Sequence, residues 1–210
     1  MFGATVGISV ISAIVSGEPP ADTAFTDEHL AGLLLWELLL TAVLVPWLRL
    51  RGWRPRTVAG KPVPADVIRG ALVGVLALGC NWTLWAVFSG ISPDTAATLA
   101  SETRFTGTPA GPLAIIVISV VNPVFEEFLW LGYGVARFVD RLGLRGASIL
   151  SIVLRLAVHT YQGPWALLGV MPLGLAFTWY YGRTRRLWPV VVAHVIFDAF
   201  GLARRLAAGP

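Results

Sequence analysis

The chain has 210 residues, of which 56% are hydrophobic and 13% charged, and its mean hydropathy is +0.72. A soluble domain carries about 25% charged residues, so the composition excludes a cytosolic globule and a disordered chain. The net charge of +4 sits in short loops between apolar runs, which fits the positive-inside pattern of a membrane protein and excludes a nucleic-acid binder. The expected fold is all-α, a polytopic transmembrane helix bundle of about seven spans. Residues 1–210 read as a single integral membrane domain, with lipid as the immediate partner.

Residues 2–16 are apolar and uncharged, and they read as a short first span. A signal peptide would want a basic start, and the first Lys or Arg is Arg49. Residues 17–29 form an acidic loop with Glu18, Asp22, Asp27 and Glu28. The next spans are expected at 30–48 and 67–91, separated by a basic loop with Arg49, Arg51, Arg54, Arg56 and Lys61. A polar loop at 92–111 leads to a span at 112–136. A loop with Arg137, Asp140, Arg141 and Arg145 follows, then spans at 146–162, 165–181 and 187–202. The basic loops at 49–66, 137–145 and 182–186 alternate with poor ones, so they are expected together on the cytoplasmic side. Arg204 and Arg205 in the tail fall on the other side of that pattern. Cys80 is the only cysteine, so no intramolecular disulfide can form. Asn81 opens a formal glycosylation sequon but lies within a span. No internal repeat is visible, which weakens an inverted-repeat transporter.

Ionisable groups inside apolar runs are costly in lipid, and each is a functional hypothesis. The 112–136 span carries Glu126 and Glu127, the 146–162 span Arg155 and His159, and the last span His194 and Asp198. Residues four apart share a helix face, so Arg155 pairs in direction with His159, and His194 with Asp198. Three helices thus turn polar patches toward one interior site. Glu37 is a further buried acid, read mainly as a partner for a neighbouring helix or an interface group. Two His and carboxylates in a dry site suit a divalent metal with an open position for water. They equally suit a metal-free site in which a Glu takes a proton from water. A proton relay is the third chemistry. An adjacent Glu-Glu pair within a span is hard to explain by packing alone.

The run NPVFEEFLWLGYG, with HTYQG on the next span and HVIFD on the last, resembles the CAAX protease and bacteriocin-processing family. This family of intramembrane proteases, also called Abi, carries the motifs EExxxR, FxxxH, and HxxxN or HxxxD. The resemblance runs from Asn122 to Phe200. It implies an intramembrane endopeptidase acting on a protein or peptide in a bacterial plasma membrane. Glu126 would activate the attacking water and Glu127 would support it. His159 would hold the water or a metal, and His194 and Asp198 would complete the site. If a metal is used, Zn2+ on Glu126, His159 and His194 is the expected set. Eukaryotic members remove the last three residues of prenylated CAAX proteins, and bacterial members are linked to bacteriocin maturation and self-immunity. Two positions depart from the pattern: the family Arg falls at Leu131 and the family Phe at Arg155. Arg155 is therefore expected to replace the missing Arg as counter-ion to the Glu pair. A catalytically silent scaffold binding a partner through the same polar site is the alternative function.

Overall fold

The computed structural model describes residues 27–96, 111–160 and 166–208. The expected first span at 2–16 and most of the 92–111 loop lie outside the described residues. In lipid every backbone donor and acceptor must be satisfied within the segment, and apolar runs of this length do so as helices. Among the described residues the regular structure is entirely helical. The elements are α1 (Asp27–Leu50), α2 (Pro55–Ala59), α3 (Ala65–Ile91), α4 (Pro112–Glu127), a π-helical segment (Phe128–Val135), α5 (Ala136–Val158), α6 (Ala166–Thr184) and α7 (Trp188–Ala208). Leu30–Leu50, Ala65–Ile91 and the continuous run Pro112–Val158 are long and apolar enough to cross a membrane. Trp188–Ala203 is a shorter apolar helix. The protein is an all-α integral membrane bundle.

The 47-residue run Pro112–Val158 does not cross once. It doubles back where Gly143 takes φ 66, a left-handed conformation that breaks the helix in one residue. The expected 137–145 loop is therefore helical on both sides of a single break, because one glycine suffices for the turn. After the break α5 packs on the π segment, and Ser151 Oγ donates to the Trp130 carbonyl at 2.9 Å.

Large apolar side chains face outward, as lipid requires: Leu35, Trp36, Leu38, Leu39 and Val43 on α1, and Leu72, Val75, Leu76 and Trp82 on α3. The inner face of α1 presents Leu30, Leu33 and Leu34, which meet Ile115 and Ile118 of α4 and Leu202 of α7. The larger core joins α3, the π segment, α5, α6 and α7 through Val73, Trp130, Leu131, Phe177, Tyr181 and Val190. Small residues bring α3 onto α7, the usual device where no water drives helices together. A Cβ at Gly70 would lie 2.6 Å from the Pro189 carbonyl oxygen and 2.6 Å from Val192 Cβ. Gly70→Ala is expected to destabilise the bundle by about 1–3 kcal/mol through overpacking, read as a lower midpoint of thermal unfolding in detergent. An unchanged midpoint would mean that α3 and α7 separate freely.

The three basic loops gather at one end. Trp188 Nε1 donates to the Gly60 carbonyl at 3.0 Å, and Tyr181 Oη to that of Val58 at 3.2 Å. Arg186 donates to Asp66 through Nε at 3.0 Å and Nη2 at 2.8 Å. A Cβ at Gly182 would touch Leu144, beside the Gly143 break, at 3.5 Å. At the opposite end the Gly111 amide donates to Asp27 Oδ1 at 2.7 Å. Helices α1 and α4 thus start side by side and run parallel, while α7 runs against them.

Candidate functional site

Helix α4 carries Pro123 in its interior, and the chain widens to π-helical geometry directly after Glu126 and Glu127. Pro removes one ladder donor, and π turns are rare and tend to mark functional positions. The widened segment lends its carbonyls to side chains: Trp53 Nε1 donates to Gly132 at 3.3 Å, as Ser151 does to Trp130. These bonds fix the stretch that follows the two glutamates.

Glu127 is fully buried. Arg155 Nη2 donates to both its oxygens, at 2.8 and 2.7 Å. One nitrogen spans the carboxylate, rather than two nitrogens in a fork. His194 Nδ1 lies 2.7 Å from Glu127 Oε1. A carboxylate paired with a guanidinium only accepts, so His194 donates from Nδ1. On its other side, His194 Nε2 faces Asp198 Oδ1 at 3.5 Å. Asn122 Nδ2 donates to Asp198 Oδ2 at 3.3 Å. The Phe177 ring lies against both groups, 5.9 Å from the Arg155 guanidinium carbon and 5.6 Å from the His194 ring. A buried charge without a partner is costly, and here Glu127 and Arg155 are each paired.

Glu126 differs from its neighbour. It is half-buried and carries no hydrogen bond or ion pair among the described residues. His159 follows the last helical residue of α5, and its Nδ1 faces the Arg155 carbonyl oxygen at 2.8 Å. A carbonyl only accepts, so Nδ1 carries the proton and Nε2 of the neutral ring is left as an acceptor.

Six sequence-derived residues thus divide. Glu127, Arg155, His194 and Asp198 form one bonded chain, and Glu126 stands beside it. Among the described residues, Glu126, Glu127 and His194 offer ligand atoms within 4.8 Å of one another. His159 is not in that group, which shares Glu126 and His194 with the expected set of Glu126, His159 and His194. The reason is local: α5 ends at Val158, and the ring is drawn back to the carbonyl of Arg155. The trio is nonetheless a poor fit to a resident dication. Both oxygens of Glu127 are held by a guanidinium, and His194 Nδ1 is spent on the same carboxylate. A metal there would have to displace both contacts beside a fixed positive charge.

Residues 108–200 match the family model described as type II CAAX prenyl endopeptidase Rce1-like. "Putative membrane peptidase YdiL" of Bacillus subtilis (strain 168) is 30% identical over 97 residues, which is 46% of this chain and 39% of that protein. Over residues 108–200 the chain is therefore similar to the CAAX prenyl endopeptidases. The match covers Glu126, Glu127, Arg155, His159, His194 and Asp198, and the chain spans about two fifths of the length of that relative. No solved structure matches the chain. Leu131, at the family's Arg position, is fully buried in the apolar core.

One polar partner escaped the sequence reading, and one acid was read as peripheral. Asn122 was legible as the residue one turn before Glu126 on the same face, but an isolated amide in a span gives no cue to its partner. Glu37 was seen and read as peripheral. It is 3% exposed, and its Oε2 is buried with no hydrogen-bond partner.

Proposed function

We propose that this protein is an intramembrane endopeptidase whose attacking water is activated by Glu126. The observation that carries the reading is the unequal treatment of adjacent carboxylates. Glu127 is consumed by Arg155 and His194, while Glu126 is half-open and uncommitted. A general base needs a free carboxylate within reach of water. In this reading Glu126 takes a proton from water as the oxygen attacks the peptide carbonyl. His159, through Nε2, accepts from that water and orients it. His194, fixed by Glu127, stands beside the developing oxyanion, and Asp198 with Asn122 holds the far side of its ring. Glu126 then returns the proton to the leaving amine as the C–N bond breaks. The family match supports peptide-bond hydrolysis, and the unbroken Glu127–Arg155 pair speaks against a site decayed into a scaffold.

The test is cleavage of membrane-spanning peptides by the purified protein, with Glu126→Gln as the control. Because both oxygens of Glu127 and Nδ1 of His194 are already committed, stripping divalent metal with a strong chelator is expected to leave the cleavage rate within about twofold of the untreated protein. Loss of cleavage on chelation, restored by Zn2+, would show instead that the trio opens to take a metal.

A further inference from the structure

Glu37 is the one buried acid near the site that the proposed chemistry does not use. Its place follows from the register of two helices. Asp27 bonds Gly111 where α1 and α4 begin side by side. Ten residues along α1 from Asp27 is Glu37, and ten along α4 from Gly111 is residue 121. Both helices rise about 1.5 Å per residue, so Glu37 stands level with Asn122, on the turn beyond the Leu30, Leu33 and Leu34 face. The Asn122 bond to Asp198 sets Asp198 in the same layer. Glu126 lies five residues deeper, about 7 Å along the axis. Glu37 is within electrostatic reach of Glu126, Asp198 and His194.

This layering leaves the charge uneven. Glu37, Glu126, Glu127 and Asp198 are four acids, against Arg155, which is bound to Glu127, and His194. Among the described residues Oε2 of Glu37 has no hydrogen-bond partner, and neither does Oγ of Ser119, which lies on the Asn122 and Glu126 side of α4. A buried polar atom without a partner is costly, and a cation entering among these acids would supply the missing donor. Glu126, His159 and Asp198 are half-exposed, so the cluster is open on that flank. A lysine side chain fits such an approach, because its methylenes pass apolar walls while its ammonium supplies three donors. The axial offset of Glu37 from Glu126, about 7 Å, equals about two residues of extended peptide.

We propose that Glu37, with Asp198 beside it, forms a cation-binding subsite that selects a basic side chain on the peptide substrate, within about two residues of the bond cleaved. The subsite deepens the endopeptidase reading and rests on it for the word substrate. Glu37 lies outside the segment matched by the family model, which begins at residue 108, whereas Asp198 lies within it.

The experiment measures binding apart from cleavage. Fluorescein-labelled apolar peptides of about 20 residues, the length of a membrane span, carry one lysine at successive positions, with norleucine as the uncharged match. Their affinity is read by anisotropy on the full chain in detergent, with Glu126→Gln to keep the peptide intact. The lysine peptide is expected to bind about ten- to a hundredfold more tightly at its best position, the range for a hydrogen bond to a charged group. Adding Glu37→Gln, which preserves volume, should erase that preference and leave norleucine binding unchanged. Glu37→Asp should keep part of it. Equal affinities, or a preference that survives Glu37→Gln, would overturn the assignment. Stabilisation by Mn2+ or Zn2+ that depends on Glu37, without lysine selectivity, would overturn it in favour of a free ion. If the wild type cleaves no peptide yet the Glu37-dependent preference holds, the protease reading fails and the subsite stands.

Discussion

Glu126→Gln is expected to lower the cleavage rate by about a hundred- to ten-thousandfold, the range for loss of a positioned general base, with little change in thermal stability. The two halves of this expectation have separate origins. The rate falls because an amide cannot take the proton from water. Stability holds because Glu126 makes no hydrogen bond or ion pair among the described residues, so the substitution breaks none of these contacts. The neighbouring substitution should behave in the opposite way. Glu127→Gln leaves Arg155 buried against an uncharged amide and weakens the hold on His194, so it should lower stability as well as activity. Rates from purified variants in detergent, set beside their unfolding midpoints, separate the two carboxylates. Full activity in Glu126→Gln would remove it as the base, whatever Glu127 does.

Most of the architecture was legible because the membrane simplifies the code. Apolar runs had to be helices, and α1, α3, α4 and α7 begin within three residues of the expected limits. The gathering of the three basic loops at one end also followed from charge alone. The π segment did not. Its residues Phe128–Val135 read as ordinary helix, and the bonds its carbonyls accept from Trp53 and Ser151 are ones that sequence spacing does not reveal. The 137–145 loop was overestimated because clustered charges resemble a loop, whereas the chain needs only Gly143 to turn.

The site was legible in its membership and less so in its geometry. Spacing put Arg155 and His159 on one face, but spacing alone does not say that α5 ends between them. That ending turns His159 onto the Arg155 carbonyl and away from the trio of ligand atoms. Glu37 was undervalued for a different reason. Its helix is distant in sequence and lacks a second ionisable residue on that face, and only the parallel start of α1 and α4 carries it to the level of Asn122.

Arg155→Leu should be the most destabilising single change, by about 3–5 kcal/mol, the usual result of leaving a buried charge unpaired. Arg155 is 3% exposed and Glu127 is fully buried, so neither can recruit bulk water in compensation. Arg155→Lys should fall between wild type and Leu. An ammonium can span both oxygens of Glu127 much as the single Nη2 does, but it lacks the planar body that lies over Phe177. The departure from the family pattern supplies the sharper test. Leu131 lies one turn beyond Glu127 and is fully buried. An arginine there, in the Arg155→Phe background, restores the family residues at both positions. If the guanidinium from residue 131 reaches the same carboxylate, Leu131→Arg should recover part of the stability lost in Arg155→Phe, although in the wild-type background it should destabilise by placing a second cation in an apolar core. That reversal of sign between backgrounds is the signature of two positions serving one acid, and a double-mutant cycle on unfolding midpoints measures it directly. Additive effects in the cycle would show that residue 131 faces elsewhere, and that Arg155 holds Glu127 without having replaced anything.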